Sequence, residues 1–302
     1  MNIVIEKNKK ILNDTYYNYL YQSSERLNYI YKKVLNICSK EGKILDVLEI
    51  GSIPYLLTNV LCDHENINLT TINHPSVYAG DYFIEQLSNL FSFEKSDKKY
   101  RYKVKSKKFS DNRFYEYRLD ICEKITEDLG QFDLVICTEV FEHIPNPPFQ
   151  GYLNLNNLLK KDGILIFSVP NALNFGKVSD IFWGKSSFDM YKDNIYDRHH
   201  HEYSIFQIRD VMKNYGFKII EENIVSFKKF LPDYKIQTKK NNVQTIDEKP
   251  PRASIITRII LKLLKLSVWN KEAHNGKIIN IIASKTEHIK EKVLVKSIYK
   301  KV

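Results

Sequence analysis

Side chains able to move protons or hold a metal gather at two places in this 302-residue chain. Glu139, Glu142 and His143 fall in a polar break just after the apolar run Leu134–Cys137, and His199, His200 and His201 stand together within Asp197–Ser204. Imidazole titrates near neutral pH, so His143 and His199 are candidate bases, and a neighbouring carboxylate can orient such a ring and support its protonated form. Three adjacent histidines also read as a metal tract, although one or two facing a cleft suits the pattern better than all three binding. The plainer reading of the first group is a solvated helix start between two strands. A third group, Glu49, Gly51 and Ser52, closes another apolar run, where a glycine lets the backbone approach a ligand.

These residues need elements to hold them. Phe132–Asn171 contains Leu134–Cys137, the polar break, an amphipathic segment, a turn at Lys161-Asp162-Gly163 and a second apolar run, Ile164–Val169. That order predicts two parallel strands joined by a helix, with the acidic and imidazole groups at the carboxyl end of the first strand, where open α/β sheets bind ligands. Ile44–Ile50 predicts an earlier strand, followed by Gly51 and a helix from Pro54. Ile53 and Tyr55 replace the further glycines of a phosphate-binding loop, so a pyrophosphate cradle is poorly supported. Ile67–Ile72 predicts a second strand, ending at Asn73, where dinucleotide folds place a ribose-binding carboxylate and this chain has only a neutral amide. A third core strand closes at Arg118–Ile121, and Ser204–Tyr215 predicts an amphipathic helix stopped by Gly216. Phe217–Val225 and Lys277–Ala283 predict two late strands with no evident parallel crossover between them, so the last is expected to be antiparallel.

Around this core the chain divides into a helical N-terminal region (1–43), a main domain (44–285) and a basic tail (286–302). Leu27, Ile30, Tyr31, Val34, Leu35 and Cys38 recur at helical spacing in the first region. Two insertions are expected, at about 92–113 and 229–275. In and beside the first, Lys99–Val104 and Phe114–Arg118 alternate like a basic surface hairpin. The second holds Ile255–Trp269, an apolar helix with Arg258, Lys262 and Lys265 to one side, which either covers the domain or makes peripheral contact with a membrane. The net charge of +10 favours anionic partners, among them nucleotide-linked sugars, phosphorylated glycans, nucleic acid and membrane faces. Four cysteines without metal-like spacing suggest reduced thiols, and the N-terminus lacks the features of a signal peptide. No apolar run is long enough to span a bilayer. A cytoplasmic location is expected.

The segments VLEIGS (Val47–Ser52), LDICEKI (Leu119–Ile125), FDLVICTEVFEHIPNP (Phe132–Pro147), LLKKDGILIFSVPN (Leu158–Asn171) and RHHHEYSIFQIRDVMKNYGF (Arg198–Phe217) follow one another at suitable intervals. Through them, across roughly Leu45–Lys285, the chain resembles the class I S-adenosylmethionine-dependent methyltransferases. The resemblance implies an α/β, Rossmann-like, seven-stranded and mostly parallel sheet with a reversed last strand and helices on both faces. It implies S-adenosylmethionine as cofactor, with Glu49, Gly51 and Ser52 under its methionine portion and Asn73 in the place of the ribose-binding acid. Asp120 would face the adenine amino group, Ile121 its ring, and Thr138 and Glu139 the sulfonium and the acceptor. Within the superfamily the chain looks like bacterial enzymes that methylate sugars and other small hydroxyl compounds. The expected activity is thus O-methylation of a sugar, nucleotide-sugar or glycan precursor, as in polysaccharide biosynthesis. Glu139-x-x-Glu142-His143 with His199 also resembles the metal-binding pattern of some small-RNA 2′-O-methyltransferases and ubiquinone-pathway O-methyltransferases, where a divalent ion such as Mg²⁺ lowers the acceptor pKa. Two alternatives stay open: a metal-dependent RNA 2′-O-methyltransferase, with nucleic acid the less favoured partner, and a non-catalytic scaffold that keeps the fold.

Overall fold

The computed structural model describes residues 3–8, 14–78, 88–107, 113–182, 198–227 and 276–289. β1 (Leu45–Ile50) is buried on both faces, as a central parallel strand must be. It lies between two parallel neighbours, β2 (Ile67–Asn73) and β6 (Phe132–Thr138). Beyond β6 come β7 (Leu159–Pro170), β9 (Ile278–Lys285) and β8 (Phe217–Val225), and β9 runs antiparallel to both its neighbours. Beyond β2 lie β5 (Arg113–Arg118), β4 (Arg101–Ser106) and β3 (Phe91–Lys95).

Among the described residues the sheet therefore has nine strands, in the order β3-β4-β5-β2-β1-β6-β7-β9-β8, rather than seven. β5 is parallel to β2 and is the third core strand, while β3 and β4 add to its outer edge in antiparallel fashion. Phe114–Arg118 thus belongs to the core sheet as well as to the basic hairpin. The reason is packing: Phe91, Val104 and Phe114 are buried together beneath the helices on one face. Once their apolar side chains share that face, the extra strands are drawn into the same sheet.

Alternation along the strands builds two cores. Leu45, Val47, Leu134 and Ile136 meet α1 (Ile3–Asn8), α2 (Asp14–Glu41) and α3 (Leu56–Leu61). Leu48, Ile50, Val135 and Cys137 meet α4 (Phe149–Leu158) and α6 (Ile205–Asn214) on the other face. Each fully buried Leu or Ile contributes about 1.5–3 kcal/mol relative to exposure. α5 (Phe175–Phe182) follows β7. Ser204 and Gln207 form a reciprocal capping box at the start of α6, and Gly216, at φ +73°, ends the turn after it. Lys161-Asp162-Gly163 does not separate helix from strand; it lies inside β7, whose pairing with β6 shifts register there.

None of the four cysteines is in a disulfide. Among the described residues no helix is long and apolar enough to cross a membrane. Gln237–Lys249, Ile255–Trp269 and the tail from residue 290 lie outside the described residues, as does most of Asp81–Phe91, whose sequence predicts a helix.

Candidate active site

The carboxyl ends of β1, β2 and β5 form one half of the rim. Gly51 has φ +73°, and a Cβ there would sit 2.5 Å from Val140 Cγ2, so only glycine fits between the two strand ends. Glu49 points down rather than into the rim. Its carboxylate accepts a hydrogen bond from Thr58 Oγ1 (2.6 Å), and burial pushes its pKa up to about 8 despite that bond. Ser52 N–H donates to Asn73 Oδ1 (2.9 Å), while Asn73 Nδ2 donates to Ser52 Oγ and Glu116 Oε2 (2.9 Å each). The Tyr55 hydroxyl donates to Glu116 as well, and Arg118 Nε reaches Glu116 Oε1 at 3.1 Å. Both amide hydrogens of Asn73 are engaged in this network and its side chain is buried, which removes it from reach of a ribose hydroxyl.

Tyr55 takes φ 65° and packs its ring on Phe91 and Phe114, with centroids at 4.8 and 5.1 Å. Ile53 packs into the same core. Both side chains are thereby turned into the core. Asp120 stays at the rim, about a third exposed; Oδ1 accepts from Cys122 N–H (2.8 Å) and Oδ2 lies 3.3 Å from His74 Nε2. Burial opposes its ionisation, but the bonds from His74 and Cys122 outweigh it and hold the carboxyl below its usual range. Ile121 is buried beside it. An ionised acceptor beside an apolar wall and a side-chain-free glycine turn suits the adenine and methionine ends of S-adenosylmethionine.

The other half of the rim is the end of β6. Thr138 pairs with Ser168 of β7. Glu139, at φ 56°, turns its carboxylate to Ser168 Oγ (2.9 Å). A 3₁₀ turn, Phe141–His143, then places Glu142 fully inside the protein. Both Glu142 carboxylate oxygens are sealed from solvent and take no hydrogen bond from any described residue. Burial, and next the charge of Glu139, push its pKa well above the usual range, while its own backbone N–H and then the charges of Arg26 and Lys177 pull the other way.

The Glu142 carbonyl anchors the histidine segment, accepting from His200 N–H (2.7 Å) and His201 N–H (3.3 Å). His143 Nδ1 lies 3.2 Å from the Arg198 carbonyl, which can only accept, so Nδ1 carries hydrogen and Nε2 faces Glu142 Oε1 at 3.8 Å. His199 Nδ1 lies 3.2 Å from Glu202 Oε1, and Lys177 of α5 is bonded to the same carboxylate. The two rings stand edge to face with centroids 4.9 Å apart. Glu142, His143 and His199 each offer a ligand atom within 4.8 Å of the others. Three of the four expected ligands are therefore brought together, and Glu139 is not among them. Glu202, Lys177 and the Arg198 carbonyl, which orient the rings, were not singled out from the sequence. The only trace there is an acid three residues after His199. Imidazoles fixed through their far nitrogen by a carboxylate or carbonyl are the usual support of a metal site.

A methyltransferase-domain family model matches residues 24–222. Over 44 residues, 15% of this chain, the sequence is 46% identical to the ubiquinone biosynthesis O-methyltransferase of Glaesserella parasuis serovar 5 (strain SH0165), and the match spans 18% of that protein's length. A solved S-adenosylmethionine-dependent methyltransferase from Clostridium acetobutylicum ATCC 824 is similar over 90% of this chain and 99% of its own, at 13% identity and TM-score 0.50. N-methyltransferase NodS from Bradyrhizobium japonicum WM9, in complex with S-adenosylhomocysteine, is similar over 95% of this chain and 100% of its own, at 13% identity and TM-score 0.47. At such identities the structural likeness is one of fold.

Proposed function

The chain belongs to the methyltransferase-domain family and is an S-adenosylmethionine-dependent enzyme of the class I fold, and from that premise we propose that it methylates a hydroxyl oxygen held at Glu142, His143 and His199. The observation that carries this reading is the Glu142 carboxylate, buried without a hydrogen bond from any described residue, beside two oriented imidazoles. A sulfonium is already activated, so the protein has to align donor and acceptor and remove the hydroxyl proton. With Nδ1 committed to the Arg198 carbonyl, neutral His143 presents Nε2 as the proton acceptor. Glu202, itself bonded to Lys177, holds the His199 ring and supports its charge when protonated.

One carboxylate and two imidazoles also fit a divalent ion, which when bound would ligate the acceptor oxygen and favour its deprotonated form. With Glu139 turned away, the nitrogen-rich donor set suits a transition ion better than Mg²⁺. The acceptor class we propose is the sugar, nucleotide-sugar or glycan hydroxyl implied by the sequence resemblance, supported by the basic charge toward anionic acceptors.

The test is methyl transfer by the purified chain to hydroxyl acceptors, with chelator and with added divalent ions. Activity lost in chelator, restored by an ion and absent in Glu142→Gln supports the metal-assisted form. A full rate in chelator removes the metal and leaves His143 as the base. Transfer to nitrogen acceptors alone sinks the proposal. An RNA acceptor is separable by salt, because its binding weakens steeply as salt rises.

A further inference from the structure

A concavity with a volume of about 210 Å³ is lined by residues next in sequence to the cluster, Ile144 and His200 among them. Its origin is legible in Ile144-Pro145-Asn146-Pro147-Pro148: three prolines in four residues delay α4 until Phe149, so the chain loops away from His143 before the helix starts. Ile144, Pro147 and Phe149 line one side. Tyr152, Tyr203 and Val211, all part of the main core, line the other.

Among the described residues, the polar side chains that line it are Asn146, His200, His201 and Gln207, with those of Tyr152 and Tyr203, and no Asp, Glu, Lys or Arg lines it. Gln207 Oε1 is committed to the α6 capping box. His200 Nδ1 lies 3.3 Å from Arg198 Nη2, and the His201 ring stands edge-on to Tyr203 at 4.5 Å. No described lining residue carries a fixed charge to set against a phosphate or a sugar acid, and the Arg198 guanidinium is turned to His200. A dry cavity of roughly 150 Å³ already accepts a benzene ring, so this space suits one substituted ring.

Its position links it to the chemistry. Ile144 follows His143, His200 follows His199, and the His200 and His201 N–H groups hold the Glu142 carbonyl. We infer that this cavity is a subsite for an uncharged aryl group carried by the acceptor, so that the reacting hydroxyl belongs to an aryl-substituted compound rather than to a bare sugar. The inference rests on the reading that the hydroxyl reacts at Glu142, His143 and His199.

Titration of the full chain with 4-fluorophenol, followed by ¹⁹F NMR without donor or metal, tests it. Saturable binding is expected, weakened at least about tenfold by Val211→Phe, which fills the cavity from α6, with S-adenosylmethionine binding unchanged. Pro147→Tyr fills it from the exposed wall and serves where Val211→Phe fails to fold. No saturable binding by the folded protein, or binding indifferent to both fillings, overturns the site. In turnover, aryl-bearing acceptors should show a KM about tenfold below their unsubstituted counterparts, and Pro147→Tyr should raise that KM without changing kcat. Equal KM values overturn the subsite role. A chain that binds the phenol at the cavity yet methylates no hydroxyl compound refutes the proposed function and leaves the ligand class of the cavity standing.

Discussion

Three carboxylates are buried among the described residues, one at each of three strand ends, and they differ in how many donors reach them. Glu116 on β5 takes hydrogen bonds from Tyr55, Asn73 and Arg118. Glu49 on β1 has the Thr58 hydroxyl. Glu142 after β6 has none from any described residue. A buried polar group left unsatisfied costs about 1–3 kcal/mol or more, so folds keep such groups paired unless the site needs them otherwise. The first half of the rim is therefore built to hold shape, with its polar groups spent on one another. The second half stores an acid that takes no hydrogen bond from any described residue, faces His143 Nε2 at 3.8 Å and can serve a ligand.

The largest expected effect falls on the unpaired acid. Glu142→Gln should lower methyl transfer about 10²–10⁴-fold. It should leave the melting temperature level or raised, because the amide carries no charge to bury. Steady-state kinetics beside thermal melting check both halves; a large loss of stability would mean that Glu142 is structural, and the contrast would collapse.

Glu49 sits between the extremes, and pH reads it. Its folded pKa of about 8 lies above the ordinary carboxylate value of 4.5, so the folded chain keeps a proton that the unfolded chain has lost between those limits. Stability then falls as pH rises through that window, by about 1.4 kcal/mol per unit for each such proton, and on the order of 4 kcal/mol in all. Glu142, also raised by burial, pulls stability in the same direction. Glu49→Gln should flatten the slope, measured as urea unfolding free energy from pH 5 to 8. An unchanged slope would show that Glu49 is ionised when folded and belongs with Glu116.

At the satisfied end the effect reverses. Tyr55→Phe removes one donor from Glu116 and should destabilise the fold by about 1–3 kcal/mol, with kcat unchanged at 25 °C. Lost activity in a fully folded variant would make this network part of the catalytic machinery.

How far the sequence disclosed these differences depends on what each residue needed in order to be placed. Strands β1, β6 and β7 and helix α6 were legible because apolar period and capping are local properties, and the class I order of strands followed from them. The joining of β3 and β4 to the sheet edge was not, since alternation marks a strand without naming its partner. Glu142, His143 and His199 could be picked out by type and spacing. Glu139 could not be excluded from them, because its diversion to Ser168 follows from a left-handed backbone turn that only the folded chain fixes. Tyr55 looked like a defect in a glycine loop. In the fold its αL conformation carries the ring under the sheet to Glu116, so the residue that seemed to weaken the turn ties it to β5.

The two halves of the rim meet along the β1–β6 pair, and the smallest predicted effect lies at its end. Gly51 at the end of β1 leaves no room for a Cβ because Val140, just past β6, would be 2.5 Å away. Gly51→Ala therefore meets two penalties: about 1–2 kcal/mol for an L-residue at φ +73°, and a collision with Val140. Val140→Ala removes the colliding methyl groups and cannot relieve the first. In a double-mutant cycle read by both unfolding free energy and S-adenosylmethionine affinity, Val140→Ala should recover on the order of 1 kcal/mol in the Gly51→Ala background. The backbone strain should remain. If nothing is recovered, the backbone conformation is the whole effect, and the structural end and the reactive end of the rim are energetically separate. Recovery of cofactor affinity along with stability would show that this contact sets how closely the donor lies against the Glu142 side of the site.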